Sequence, residues 1–340
     1  MTAAVLAFLL LFAPAQAQDP EALSAQALEM AQQRRFAEAE ALWQRALKAS
    51  PNLFSAAFNL GYMHQSQGEY AKAEPMLARA VRAQPKDFNA RYLLGATISQ
   101  LGRGDDALRQ WRAALELRPD HAKLMQIMAV EYGKGQYFRE AAAVAERALK
   151  VQAADPGLYL IAIKSYQDAA DHPEALRIAE QMIRRFPEHP RANFEYGFEL
   201  HRAGRAAEAM PYLRKAMEAD QTYEEPFFFY GEILLKERRF EEAIPPFRKA
   251  IELRRDYMAA WVALGRALMG LKRYDAAKTE LLRAVEIDPE HPQPHLLLSQ
   301  LYFRMGDQEL ASREKDLSLK YRRENPRAME SLPSRPFPAK

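Results

Sequence analysis

Alanine recurs every 34 residues, at Ala39, Ala73, Ala107, Ala141, Ala175, Ala209, Ala243, Ala277 and Ala311. A period of that length, kept through nine copies without insertion, marks a stacked array rather than a closed globule. Each repeat is counted from its first residue: Pro20, Phe54, Phe88, Ala122, Pro156, Pro190, Glu224, Met258 and Pro292. The alanine then sits at position 20. A length of 340 residues alone suggests two domains, but the unbroken period over residues 20–325 points to one continuous solenoid.

The other columns of the period have physical reasons. Glycine fills position 8 in five repeats: Gly61, Gly95, Gly197, Gly231 and Gly265. Alanine holds position 27 in seven repeats, from Ala46 to Ala284, and proline stands at position 32 in five. Apolar residues at 4, 7 and 11 share one face of a first helix, A. Those at 20, 24 and 27 share one face of a second helix, B. Small residues at 8, 20 and 27 let the two helices cross closely, and a bulky residue at 20 would overpack them at a cost of roughly 1–3 kcal/mol. Proline at 32 stops helix B. Acids at position 19 (Asp106, Glu140, Glu174, Glu208, Glu242) suit the positive end of the helix B dipole. Pro75, Pro211, Pro245 and Pro246 fall about one turn into helix B, where they are expected to cause at most a local distortion.

These columns resemble the tetratricopeptide repeat family. The repeat starting at Met258 carries the pattern most fully, with Trp261, Leu264, Gly265, Tyr274, Ala277, Leu281, Ala284 and Pro289. The resemblance covers all nine repeats. It implies an all-α fold, a right-handed superhelix of antiparallel helix pairs. The repeat starting at Pro156 departs from the pattern, with Ile163, His172, Ala179 and Met182 at key sites, so looser helix pairing is expected there.

Apolar residues are 49% and charged residues 27%, with a net charge of +3. That charge is too small to argue for nucleic acid or a membrane surface. Residues 3–13 form a short apolar run, too short to span a bilayer comfortably, and Ala15-Gln16-Ala17 follows as a cleavage-like triplet. We read residues 1–17 as a secretory signal, although no Lys or Arg precedes the run. There are no cysteines, which removes disulfides and thiolate chemistry. A bacterial periplasmic or secreted location is expected. The ninth repeat has Lys315 and Ser318 at positions 24 and 27, which reads as a solvated end cap. The proline-rich residues 326–340 read as an extended, disordered tail.

In the family, positions 2, 5, 9, 12 and 13 of helix A line the concave groove. Two aromatic clusters fall there: Phe58, Tyr62 and Tyr92, then Phe194, Phe198 and Phe228. Two readings stand for each: exposed anchors for a partner, or side chains packing against the neighbouring helix A. On the same face the bases Lys123, Lys134, Lys164, Arg191, Arg202, Lys236, Arg266 and Arg304 outnumber the acids Glu21, Asp168, Glu225 and Glu232. Lys164, Arg191 and Arg202 are expected to flank the second cluster. The groove is therefore expected to take an extended or helical segment with apolar anchors and some acidic residues. The carboxylate-gripping set of Lys, Asn and Arg that some family members use is not carried by any three consecutive repeats.

No catalytic motif is found, and neither a metal nor a cofactor is expected. The stretch His291-Pro292-Gln293-Pro294-His295 reads as inter-repeat loop, and Arg103-Gly104-Asp105 and Gly133-Lys134-Gly135 as turns. The expected function is a non-catalytic scaffold that holds a protein or peptide partner, as an envelope assembly or adaptor factor. The alternative is a regulatory or targeting subunit of a separate enzyme, such as a glycosyltransferase or protease. RNA binding is a third reading, opposed by the small net charge and the leader.

Overall fold

Each repeat folds as two helices because apolar residues recur at helical spacing on both sides of a short turn. The computed structural model describes residues 19–326. The expected signal at 1–17 and nearly all of the expected tail lie outside them. Among the described residues there are eighteen α-helices and no strand. The chain divides into two compact units, Met1–Ala170 and Asp171–Lys340, and the boundary falls inside the fifth repeat.

The described part of the first unit runs α1 (Pro20–Gln32), α2 (Phe36–Ala49), α3 (Phe54–Ser66), α4 (Tyr70–Ala83), α5 (Phe88–Gln100), α6 (Gly104–Leu117), α7 (Ala122–Lys134), α8 (Phe138–Val151) and α9 (Pro156–Asp168). The second runs α10 (His172–Arg185), α11 (Pro190–Arg202), α12 (Ala206–Ala219), α13 (Glu224–Lys236), α14 (Phe240–Leu253), α15 (Met258–Gly270), α16 (Tyr274–Ile287), α17 (Pro292–Met305) and α18 (Gln308–Glu324). Odd-numbered helices are A helices and even-numbered ones are B helices. Within each unit every helix packs on the next, and successive A helices also touch: α1 with α3 and α7 with α9, then α11 with α13 and α15 with α17. The A helices of a unit thus stand side by side as a wall.

The small-residue columns do what their spacing implies. The position-20 alanines are fully buried from Ala39 to Ala277, and Ala311 is nearly so. Position 8 faces position 24 of the same repeat: a Cβ on Gly95 would lie 2.5 Å from Trp111 Nε1, and one on Gly231 2.7 Å from the Phe247 ring. The helices containing Pro75, Pro211, Pro245 and Pro246 are each continuous.

Position 15, between helices A and B, has φ in the left-handed region in every repeat. Glycine holds it at Gly68, Gly102, Gly204 and Gly306, while Arg34, Gln136, Ala170, Arg238 and Lys272 adopt φ of 56–62° there. Position 16 caps helix B, and its arginines reach the acid at position 19: Arg35 to Glu38, Arg103 to Asp106, Arg205 to Glu208 and Arg239 to Glu242. Arg103, in the Arg-Gly-Asp stretch, also bonds Glu74 at 2.8 Å, and Gly104 opens α6. The reading of the Arg-Gly-Asp and Gly-Lys-Gly stretches as turns is corrected in part: Gly104 and Asp105 belong to α6, and Gly133 and Lys134 to α7, so only Arg103 and Gly135 lie at the turns.

Two expectations about the last repeat are corrected. Ser318 is buried rather than solvated, because its hydroxyl donates to the Pro292 carbonyl at 2.9 Å and ties α18 to the first residue of α17. Lys315 is exposed. His295 is not a loop residue but a buried member of α17, placed between Glu314 at 2.6 Å and the Pro289 carbonyl at 2.9 Å. His291 caps α17 by accepting from the Gln293 amide.

Candidate functional site

On the wall of the first unit, position 5 stacks on position 1 of its own helix. Phe58 stacks on Phe54 with centroids 5.5 Å apart, and Tyr92 stacks on Phe88 at 5.9 Å. Phe58 and Tyr92 are half-buried as a result. Tyr62, at position 9, is 53% exposed. Among the described residues no ring contact joins Phe58, Tyr62 and Tyr92, so the first cluster is a row of separate rings. Lys123 is exposed on α7 and donates to Gln126 at 2.9 Å. Lys164 pairs with Asp168 one turn along α9.

The wall of the second unit is more tightly knit. Phe194 stacks on Phe198 at 5.8 Å. Tyr223 packs edge-on to Phe194 at 5.0 Å, and the Arg191 guanidinium lies over Tyr223 at 4.6 Å while pairing with Glu195 at 2.9 Å. Phe194 is therefore only 4% exposed. Phe228 is 1% exposed, enclosed by Phe229, Phe247 and Tyr257. Both are core residues, so of the two readings packing holds for them, and their naming as exposed partner-binding anchors is corrected. The reason is position 34: Tyr223 and Tyr257, in the loop that ends each repeat, fold over the position-5 ring of the same repeat. The ring that crosses the seam is Phe229, one residue on from Phe228. It meets Phe198 edge-on at 4.7 Å and the His201 ring at 6.2 Å.

Charge gathers around that pair. Arg202 lies over Phe198, 5.5 Å from the centroid, and donates to His172 Nε2 at 2.6 Å. Lys236 Nζ donates to His201 Nε2 at 3.4 Å. Burial, reinforced by Lys236, pushes the His201 imidazole down to about 4. Burial and then Arg202 depress His172 in the same direction. Arg266 approaches Glu232 at 3.9 Å, and burial raises the Glu232 carboxyl. Sequence reasoning missed Phe229, His172 and His201 as members of the site. The groove positions of the period selected Phe228, and Phe229, at position 6, falls outside them.

Among the described residues, no group of three His, Asp or Glu is placed to hold a metal ion. No helix among them is long and apolar enough to cross a membrane.

Tetratricopeptide repeat profiles match residues 24–88, 64–98, 160–224 and 234–301, together more than half of the chain. No curated protein sequence matches it. Among solved structures, the APC/C hetero-tetramer Cut9-Hcn1 aligns at a TM-score of 0.54 with 16% identity, over 92% of this chain and 62% of that one, a likeness of fold alone. YrrB, described as a TPR protein with an unusual peptide-binding site, aligns at 0.45 with 22% identity, over 54% of this chain and 95% of that one. MamA from Desulfovibrio magneticus RS-1 aligns at 0.46 with 20% identity, over 50% and 96%. Tetratricopeptide repeats generally mediate protein–protein interactions and are typically non-catalytic. With its 34-residue period, paired helices and profile matches, the chain belongs to the tetratricopeptide repeat family.

Proposed function

We propose that this protein is a non-catalytic scaffold whose A-helix walls hold a segment of a protein partner, and that it works as an assembly or adaptor factor in the bacterial envelope. The observation that carries the reading is the half-buried Phe198–Phe229 pair on the second wall, edged by the exposed Arg202 and Lys236. A rigid aromatic surface with charges at its rim anchors apolar side chains at low entropic cost. Tyr62 offers a second anchor on the first wall. The location outside the cytoplasm rests on the apolar run at 3–13 and the Ala-Gln-Ala triplet after it.

The test is affinity capture from envelope extract with residues 18–340, compared with Tyr62→Ala and with Phe198→Ala/Phe229→Ala. A partner held by the walls is lost from one variant or the other. If both variants retain every captured protein at full yield, the reading is wrong.

A further inference from the structure

The cations around the second aromatic pair differ from most of those elsewhere in the chain. Arginines at the helix-B turns are matched to acids: Arg35, Arg103, Arg205, Arg239 and Arg273 each hold a carboxylate. Arg202 and Lys236 do not. Both are exposed, and among the described residues neither forms an ion pair. Their polar contacts are imidazole nitrogens, His172 for Arg202 and His201 for Lys236. An arginine or ammonium group can only donate, so each Nε2 accepts and each ring is the neutral tautomer with its proton on Nδ1. The Nδ1 atoms of both histidines are buried without a partner. Neither histidine therefore adds a negative charge to the site.

The arrangement is continuous. Contacts run from His172 to Arg202, across the Phe198 and Phe229 rings, to His201 and Lys236. Two of the acids nearby act on members of the site. Asp171 acts on His172, and Glu232, acted on by both Arg266 and Lys236, is held up by burial. A cationic side chain thus stands on each side of an aromatic floor.

We propose that this cradle on α11 and α13, completed by His172 of α10, binds the carboxylate of an aspartate or glutamate side chain in the partner segment, next to an apolar residue seated on Phe198 and Phe229. The inference rests on the groove reading above and specifies the chemistry of its occupant. A carboxylate matches the planar fork of arginine, and in a partly desolvated site it gains charge-assisted hydrogen bonds that the imidazoles cannot offer. Charge complementarity selects this occupant over a neutral or basic segment.

The experiment titrates the full chain with two probe peptides, acetyl-Glu-Leu-Phe-amide and acetyl-Gln-Leu-Phe-amide, by calorimetry and by amide shifts in NMR spectra. The expected result is about tenfold tighter binding of the Glu peptide, the ratio that one charge-assisted hydrogen bond supports. Its shifts centre on Phe198, Arg202, Phe229 and Lys236. Arg202→Gln/Lys236→Gln removes the preference while keeping the weaker Gln-peptide binding. As a control for folding, Arg202→Glu/Lys236→Glu should come to favour acetyl-Lys-Leu-Phe-amide. Equal binding of the Glu and Gln peptides, a preference that survives the double Gln variant, or no binding of either peptide would each overturn the cradle. The groove reading fails on a different result, unchanged partner capture by the Tyr62 and Phe198/Phe229 variants. A partner lost from those variants but retained by Arg202→Gln/Lys236→Gln leaves the groove standing without the cradle.

Discussion

At the scale of single residues, the stack depends on how closely helices A and B cross within a repeat. Gly95 and Gly231 sit against Trp111 and Phe247 with no room for a methyl group. Because the opposing rings are fully buried, they cannot swing away. Gly95→Ala and Gly231→Ala are each expected to lower stability by roughly 1–3 kcal/mol, read as a shifted urea midpoint. The opposite change is expected at position 15. Gln136 and Arg238 hold left-handed backbone that favours glycine. Gln136→Gly and Arg238→Gly should each raise stability by about 0.5–1 kcal/mol, because the steric relief exceeds the added chain entropy. The alanine and glycine columns were legible in the sequence because a close crossing admits one size of side chain. Position 15 was not legible as a column: only four of its nine residues are glycine, so the conformation repeats where the residue does not.

At the scale of elements, helices A and B hide different amounts of their design. The buried face of each followed directly from apolar spacing. The wall did not, because a residue at position 5 is exposed or covered according to what position 34 brings over it. Tyr223 and Tyr257 cover Phe194 and Phe228, and no periodic signal within helix A announces this. The same wall explains an expected acid sensitivity. His172, His189 and His201, all in the second unit, are depressed, each first by burial and then by a neighbouring cation: Arg202, Arg191 and Lys236. For His201 the value falls from 6.5 unfolded to about 4 folded. Between those values the unfolded chain binds more protons, so stability is fully present above about 6.5 and is lost as the pH falls toward 4. Thermal melts from pH 7 to pH 4 should show a falling midpoint, and His201→Gln should flatten that fall. An unchanged slope in the variant would remove His201 as a source.

The last pair of elements holds its end by polar contacts. His295 ties α17 to Glu314 of α18 and to the preceding turn, and Ser299 donates to the Ala311 carbonyl at 2.8 Å. His295→Ala removes the ring that links the Glu314 carboxyl to the Pro289 carbonyl, which should cost about 1–3 kcal/mol. Hydrogen exchange should show the loss first in α18. If exchange instead rises uniformly across the second unit, His295 does not act as a local tie.

At the scale of the whole molecule, one period builds two units, and each presents a wall of A helices while its B helices carry the turn ion pairs. The period made the architecture legible at once, since 34 residues hold two helices and two turns. The partner was not legible, because the packing rules that set the columns say nothing of the side chains on the wall. The direct test of the account is site-specific photo-crosslinking in cells, with a benzoylphenylalanine placed at Tyr62 or Phe229 on the walls and at Leu117 or Leu282 on the B helices. The account predicts that partner adducts form from the wall positions and that the B-helix positions give none. Adducts from Leu117 or Leu282, with none from Tyr62 or Phe229, would contradict it.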